Sequence, residues 1–444
     1  MERALLGRVS RGSSAAAAGG GSDPTEANAR IETDPAPASV RRVGWGFISL
    51  YTLSYTGGSL LFLAPLLVSL ALKVNDLVGI EAAPRNLALV TGVGSLLSIA
   101  ANPIFGRLSD RTTARMGMRR PWILLGLFAG TIGILVVALA PSVPVVLCGW
   151  CICQVFFNAT LAAQAAVLPD QVPVSQRGVV SGMLGLCVPV ASVAGTYLVQ
   201  AFEQSLLLMF TMPCLVGGAA IVIFVSRLHD RRLPLDEKPP WSVRELAGTF
   251  YVNPRNSPDF AWAFASRFLL ILAYAFLVTF QAYYLLEKIG STETQVPQQI
   301  FLATLIQAAF VVAASLTGRR LSDRIGQRKI FLLTASIVYG LALFVVAAAT
   351  SFNGFLLGMA IGGLGFGMYV AVDLALVADV LPNKDNAKDL GVFNIASALP
   401  FSIAPAIAPM ILAISGGSYG MLYAVGGVCA IFGAAAILPV KGVR

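Results

Sequence analysis

Long apolar stretches, each close to 20 residues and nearly free of charge, alternate along this chain with short polar breaks. A stretch of that length forms a helix that crosses the ~30 Å hydrocarbon layer of a bilayer. Twelve can be drawn, over 44–72, 86–106, 121–140, 145–168, 178–200, 206–226, 260–286, 298–317, 329–350, 353–381, 389–414 and 418–440. No short strands of alternating polarity compete with this reading, so a membrane barrel is excluded. The pattern predicts an all-α membrane protein with 12 transmembrane helices. The one long break, 227–258, contains RRLPLDEKPPW and NPRNSP, whose prolines stop helices and whose charges favour water.

The halves on either side of that break repeat. Gly106–Arg111 reads GRLSDR and Gly318–Arg324 reads GRRLSDR, which sets Asp110 and Asp323 213 residues apart. LPDQVP and ADVLP form a second pair, with Asp170 to Asp379 and Pro173 to Pro382 both offset by 209. Two anchors at nearly one offset imply a duplicated six-helix unit. The predicted organisation is a disordered cytoplasmic tail (1–42), a first half (43–226), a central cytoplasmic loop (227–258), a second half (259–440) and a short cytoplasmic tail (441–444). The first segment earns its label from its Ala, Gly, Ser and Pro content.

Composition agrees. Of 444 residues 57% are hydrophobic and 12% charged, against roughly 25% charged in soluble domains. The formal charge of +9 is placed by topology, since 27 of the 31 Lys and Arg fall on the side of the two termini. That bias predicts both termini in the cytoplasm of a multi-pass plasma-membrane protein, and leaves no separate basic face for nucleic acid. The six cysteines all fall in apolar stretches and read as small buried hydrophobes rather than metal ligands. The chain has one His, His229, so no Ser-His-Asp or metal cluster can be assembled. There is no Walker A pattern, and the run GGLGFG (Gly362–Gly367) lies inside an apolar span where close helix packing explains it. Neither an enzyme nor an ATP-driven pump is expected, and no cofactor is.

Basic stretches follow the repeated aspartates: DRTTARMGMRR from Asp110 to Arg120, and DRIGQRK from Asp323 to Lys329. Both resemble the G-x-x-x-D-R-x-G-R-R signature of the major facilitator superfamily. The residues that carry it are Gly106, Asp110, Arg111, Gly117, Arg119 and Arg120, then Asp323, Arg324, Gly326, Arg328 and Lys329. Glycine lets such a turn reverse, and Asp can cap a helix or pair with Arg. The longer first copy, SDRTTARMGMRRPW, is similar to the SDRCTSRxGRRRPF segment of sucrose/proton symporters, which belong with the glycoside–pentoside–hexuronide:cation symporters. LGVFNIASALP (Leu390–Pro400) resembles LGVLNLAIVIPQ of the same family, and SRFLLILAYAF is a fainter echo of its seventh helix. The chain departs from that family at NATLAAQAAVLPD, where Gln164 and Ala165 stand near the family's Arg, and in having no acidic residue in its first helix.

The resemblance implies a major facilitator fold of two pseudo-symmetric halves, with helices 1, 4, 7 and 10 around a central cavity. Polar stripes at helical spacing fall on those four helices. They are Tyr51, Ser54, Tyr55 and Gly58; Gln154 and Asn158; Arg267, Tyr274 and Gln281; and Gly362, Phe366, Tyr369 and Asp373. Of these, Tyr51, Tyr55, Gln154, Asn158, Tyr274, Gln281 and Tyr369 are the expected substrate contacts. Structural hydrogen bonding between helices is the competing account of each.

Asp373 is the acidic residue well inside a span, where a carboxylate costs about 2.5–3.5 kcal/mol on insertion scales. Burial disfavours the charged form, as a proton-coupling site requires. Asp373 and Arg267 each lie nine residues from a proline at the terminal side, Pro382 and Pro258. That puts both about 12–14 Å in, where they can pair. Asp170, Arg177, Asp379 and Lys388 end helices 4, 5, 10 and 11 and are candidates for a cytoplasmic gate of weak ion pairs.

The expected function is proton-coupled symport of a sugar or glycoside by alternating access, with H⁺ as coupling ion and the lipid bilayer as surroundings. The fold can act as a monomer. A proton-driven exporter of drugs or metabolites is the alternative. The G-x-x-x-G-P-x-x-G-G pattern of such exporters is mostly absent from GLCVPVASVAG (Gly185–Gly195). A non-transporting sensor or scaffold is a remote third.

Overall fold

The computed structural model describes residues 42–236, 238, 258–325, 327–380 and 395–440, with backbone alone for 319–325, 328 and 374–380. Of the residues expected to carry the motif and gate, Gly326 and Lys388 lie outside the described residues. So do the side chains of Asp323, Arg324, Arg328 and Asp379.

Among the described residues, twelve helices are long and apolar enough to cross a membrane. They are α1 (Trp45–Val78), α2 (Ala83–Asp110), α3 (Arg120–Leu139), α4 (Val143–Gln171), α5 (Val174–Ala201) and α6 (Leu206–Arg227). The second set is α7 (Pro258–Glu287), α8 (Val296–Ile325), α9 (Arg328–Ala348), α10 (Phe352–Val380), α11 (Pro400–Ile414) and α12 (Tyr419–Ile437). No strand occurs among the described residues. The face where α1 begins and α12 ends is called the terminal face below, and the opposite one the far face.

Two helices are irregular. α1 contains a π-helical turn, Pro65–Ser69, and then runs six residues past the expected end through Lys73, Asn75 and Asp76. The proline has no N–H to donate, so the ladder must adjust around it. α5 is two helices, Val174–Gly185 and Cys187–Ala201, joined at Leu186 just before Pro189.

In lipid, helices associate through close packing rather than hydrophobic transfer, and small residues permit the approach. α1 crosses α6 at Gly57 and Gly217. A Cβ built on either would meet the other's carbonyl oxygen, at 2.6 and 2.7 Å. Within the first half α4 packs on α2 and α3, and within the second α10 packs on α8 and α9. Between the halves the main contacts are α2 with α11 and α5 with α8.

The contacts between halves gather on the far side. Asn75 Nδ2 donates to Glu293 Oε1 (2.6 Å), Tyr283 Oη to the Ala71 carbonyl (3.0 Å) and Gln281 Nε2 to the Leu67 carbonyl (3.4 Å). The rings of Tyr197 and Phe301 meet at 5.5 Å. The π turn of α1 is therefore clasped by α7. Toward the terminal face, α4 and α10 share no extensive contact among the described residues. Among the described residues, the two halves are tied together on the far side.

Candidate functional site

The Arg267–Asp373 pair stands inside the second half. Arg267 Nη1 lies 2.7 Å from Asp373 Oδ2, and Arg267 Nε donates to Ser397 Oγ (2.6 Å). Their side chains are 15% and 8% exposed, so the pair is nearly out of solvent. Three helices meet there: α7 brings the guanidinium, α10 the carboxylate, and the segment leading into α11 the hydroxyl. The structure thus brings together the two residues whose depth predicted a meeting. Ser397 was not foreseen, because it sits 130 residues from Arg267 in a stretch of apolar and small residues. Tyr369, one turn before Asp373, is close enough to couple to it electrostatically. Its hydroxyl and Asp373 Oδ1 are nevertheless buried without a hydrogen bond of normal geometry.

The expected substrate contacts divide. Tyr55, Gln154, Asn158 and Tyr274 are half-buried. The amide of Gln154 makes no side-chain hydrogen bond among the described residues. Asn158 Nδ2 donates to the Gln154 carbonyl (2.7 Å), and its Oδ1 faces Asn102 Nδ2 at 3.4 Å. Tyr274 is stacked on Phe366, centroids 4.6 Å apart at 15°, with Phe401 edge-on at 6.2 Å. The first half thus offers amides on α4, and the second an aromatic cluster on α7, α10 and α11.

Tyr51, Gln281 and Tyr369 are fully buried in this state. Tyr51 donates to the Gln164 carbonyl (2.8 Å) and stacks on Phe224 at 5.5 Å. Gln164 in turn donates to the carbonyl (2.9 Å) and hydroxyl (2.7 Å) of Ser54. Tyr51, Ser54 and Gln164 form one clamp between α1 and α4. Gln281 belongs to the far-side clasp.

At the terminal face of the first half, Arg119 is the hub. Its guanidinium reaches Asp110 Oδ1 (2.6 Å), Asp170 Oδ2 (2.7 Å) and Ser109 Oγ (2.8 Å), and the side chain is 5% exposed. A carboxylate from the central loop completes the turn: Asp230 accepts the backbone N–H of Arg119 (2.6 Å) and of Arg120 (2.8 Å). Those are orphan donors at the start of α3, and a negative charge suits the positive helix end. Gly117 makes this possible. Its φ is +108°, and a Cβ there would collide with the Asp230 side chain.

Asp170 therefore pairs with Arg119. Arg177 instead closes the end of α4, donating to the carbonyls of Val172 (3.0 Å) and Pro169 (2.9 Å). Arg111 lies half-buried nearby and makes contacts of its own. A Cβ on Gly106 would meet nothing within 4 Å, so packing does not demand glycine there. In the second half Lys329 donates to the carbonyls of Leu438 and Val440 and ties the start of α9 to the end of α12. All six thiols are free; Cys153, Cys187 and Cys214 are buried, while Cys148 is exposed.

Comparison with known proteins agrees with this architecture. Residues 47–306 and 263–442 match the family model described as Major Facilitator Superfamily. The chain is 30% identical over 125 residues to multidrug resistance protein MdtL of Shewanella sp. (strain ANA-3), and 26% identical over 126 residues to that of Klebsiella pneumoniae. The matches span 28% of this chain and about a third of those proteins (30% and 31%). Among solved structures, nucleoside transporter NupG superposes with a TM-score of 0.71 at 12% identity, over 89% of this chain and 99% of that one. A bacterial homolog of human lysosomal transporter Spinster, inward-facing and unoccupied, gives 0.65 at 15% over 89% and 95%. The human organic anion transporter MFSD10 gives 0.65 at 16% over 88% and 98%. At such identities the superpositions speak for the fold, and the family match adds the class of activity. With twelve candidate spanning helices among its described residues, this chain belongs to the Major Facilitator Superfamily.

Proposed function

We propose that the protein couples proton movement to uptake of a small neutral polyol, a sugar or glycoside, across the plasma membrane. The concentration of Lys and Arg on the terminal face supports a cytoplasmic placement of that face, and a state tied together on the far side is then the inward-facing one. The observation that carries the coupling reading is the Arg267–Asp373 pair, 2.7 Å long and nearly dry. In the inward state the carboxylate is charged and bound to Arg267. Protonation cancels one partner, frees the guanidinium and lets α7 and α10 shift. A buried ion pair is costly to leave half-made, so proton and conformation move together.

The neutral-substrate reading rests on the side chains expected to meet substrate. Gln154 and Asn158 offer amides to hydroxyl groups, and the Tyr274, Phe366 and Phe401 rings offer an apolar face to a sugar ring. The one pair of charges beside them is mutually balanced. A second reading, proton-driven export of drugs, is favoured by the local match to the multidrug resistance proteins.

The test is internal pH in proteoliposomes, followed by a dye while disaccharides and glycosides are added outside. Acidification by one sugar, lost in Asp373→Asn, is the expected result. Silence across the panel removes the sugar assignment and puts export first.

A further inference from the structure

The clamp of the first half and the ion pair of the second stand at the same place in the repeat. The offset of 213 that takes Asp110 to Asp323 takes Ser54 to Arg267. The offset of 209 that takes Asp170 to Asp379 takes Gln164 to Asp373. The helices keep the same offsets. α1 starts at Trp45 and α7 at Pro258, while Val143–Gln171 of α4 matches Phe352–Val380 of α10 at both ends. Ser54 and Arg267 therefore each lie nine residues into their helix, and Gln164 and Asp373 each seven from the end of theirs.

The contacts match as well. Gln164 Nε2 donates to Ser54 Oγ at 2.7 Å, and Arg267 Nη1 meets Asp373 Oδ2 at 2.7 Å. Ser54 and Gln164 are fully buried and the ion pair nearly so. Each site keeps one buried oxygen without a hydrogen bond of normal geometry, Gln164 Oε1 and Asp373 Oδ1.

What differs is which helix reaches, and with what charge. In the second half the long side chain comes from α7 and the short one from α10. In the first the short one comes from α1 and the long one from α4. Gly58 leaves room for that reach, since a Cβ there would meet Gln164 Oε1. A guanidinium and a carboxylate hold the second site, an amide and a hydroxyl the first.

We infer that Ser54 and Gln164 form a proton-blind latch: they hold α1 to α4 as Arg267 and Asp373 hold α7 to α10, part when the far side opens, and take up no proton in doing so. Gln164 is a positioning residue, acting through the α1–α4 contact. The inference rests on the coupling role given to Asp373 above. By the repeat, the shift of α7 against α10 has its counterpart in α1 against α4. An amide and a hydroxyl donate and accept without changing charge, so hydrogen bonds alone set the strength of this latch. The titratable groups around it are Tyr51 and Tyr55 of α1 and Cys187 of α5. Toward the terminal face Asp110 and Asp170 are held by Arg119, and Arg177 is turned to backbone carbonyls. Asp373 faces Arg267 from α7 and Tyr369 on its own helix, with Tyr274 and Tyr339 behind the Phe366 ring.

The test reads far-side opening without substrate. Leu67→Cys, at a position buried beside Gln281 in this state, is introduced into the full chain with Cys148→Ser. Its labelling by a membrane-impermeant maleimide in lipid nanodiscs is followed across pH, relative to the same thiol in denatured protein. The rate should rise as pH falls, because Asp373 takes its proton. Gln164→Met keeps the bulk, loses both hydrogen bonds to Ser54, and should raise the rate roughly tenfold, by the same factor at every pH. Arg267→Met with Asp373→Leu should be flat with pH. Adding Gln164→Glu to that pair should bring pH dependence back with the opposite sign, because a carboxylate cannot donate to Ser54 and its protonated form can. If that triple variant does not fold, Gln164→Met carries the test alone. Labelling unchanged in Gln164→Met overturns the latch, a factor that varies with pH overturns its blindness to protons, and a folded triple variant that stays flat overturns the hydrogen-bond account. A wild type flat with pH, in which Gln164→Met still raises the rate, would uphold the latch and overturn the coupling role of Asp373 alone.

Discussion

Arg119 of the first half holds Asp110 and Asp170 at the terminal ends of α2 and α4, with both carboxylates open to water (53% and 36% exposed). Arg267 of the second half holds Asp373 inside the span, 8% exposed. The same two functional groups answer different needs. Arg119 itself is 5% exposed, but its two carboxylates keep their water and lose less when the pairs part. A pair in low dielectric holds until one partner loses its charge. On the function proposed above, the first half opens and closes and the second registers a proton. Their buried hydroxyls divide likewise, since Tyr51 is spent on an α1–α4 clamp while Tyr339, Tyr369, Tyr419 and Tyr423 of the second half lack a hydrogen bond of normal geometry.

The largest effect that would break this contrast is at the buried pair. Arg267→Gln strands a carboxylate and should cost about 3–5 kcal/mol, read as a fall in melting temperature of the purified transporter. Arg267→Met with Asp373→Leu should recover most of that stability. If the single variant melts like wild type, the pair is not a buried one.

At the terminal turn, Gly117→Ala forces φ +108° on a residue with a Cβ and collides with Asp230, an expected loss of about 1–3 kcal/mol. Asp230→Ala removes the α3 cap for about 0.5–2 kcal/mol. The double variant should lose less than the sum of the singles, because the collision goes with the carboxylate. Full additivity would separate the two residues.

The smallest effect belongs to the far-side clasp. Asn75→Ala deletes one hydrogen bond between the halves, worth about 0.5–1.5 kcal/mol. Thiol labelling of an introduced far-side cysteine should rise a few-fold as the outward-open population grows.

How legible this was in the sequence depended on range. Helices announced themselves through local hydropathy, which is why all twelve spans fall where the pattern puts them. Ends were less visible: α1 continues through Lys73, Asn75 and Asp76 because its tip is held by α7, and no local pattern records that. Arg267 and Asp373 were found because charges are rare at that depth and the prolines gave both the same offset. The Asp230 cap and the Ser397 contact were not, because each joins residues more than 100 apart in unremarkable stretches. Tyr51 shows the limit of counting faces: a polar stripe does not reveal whether a neighbouring helix has already taken its hydroxyl.

The most direct measurement sets the two aspartates against each other. Substrate-driven acidification of proteoliposomes is recorded for wild type, Asp373→Asn and Asp170→Asn. The account predicts none in Asp373→Asn and a retained signal, altered only in rate, in Asp170→Asn. Acidification that survives in Asp373→Asn and vanishes in Asp170→Asn would contradict it, and would move proton coupling to the first half.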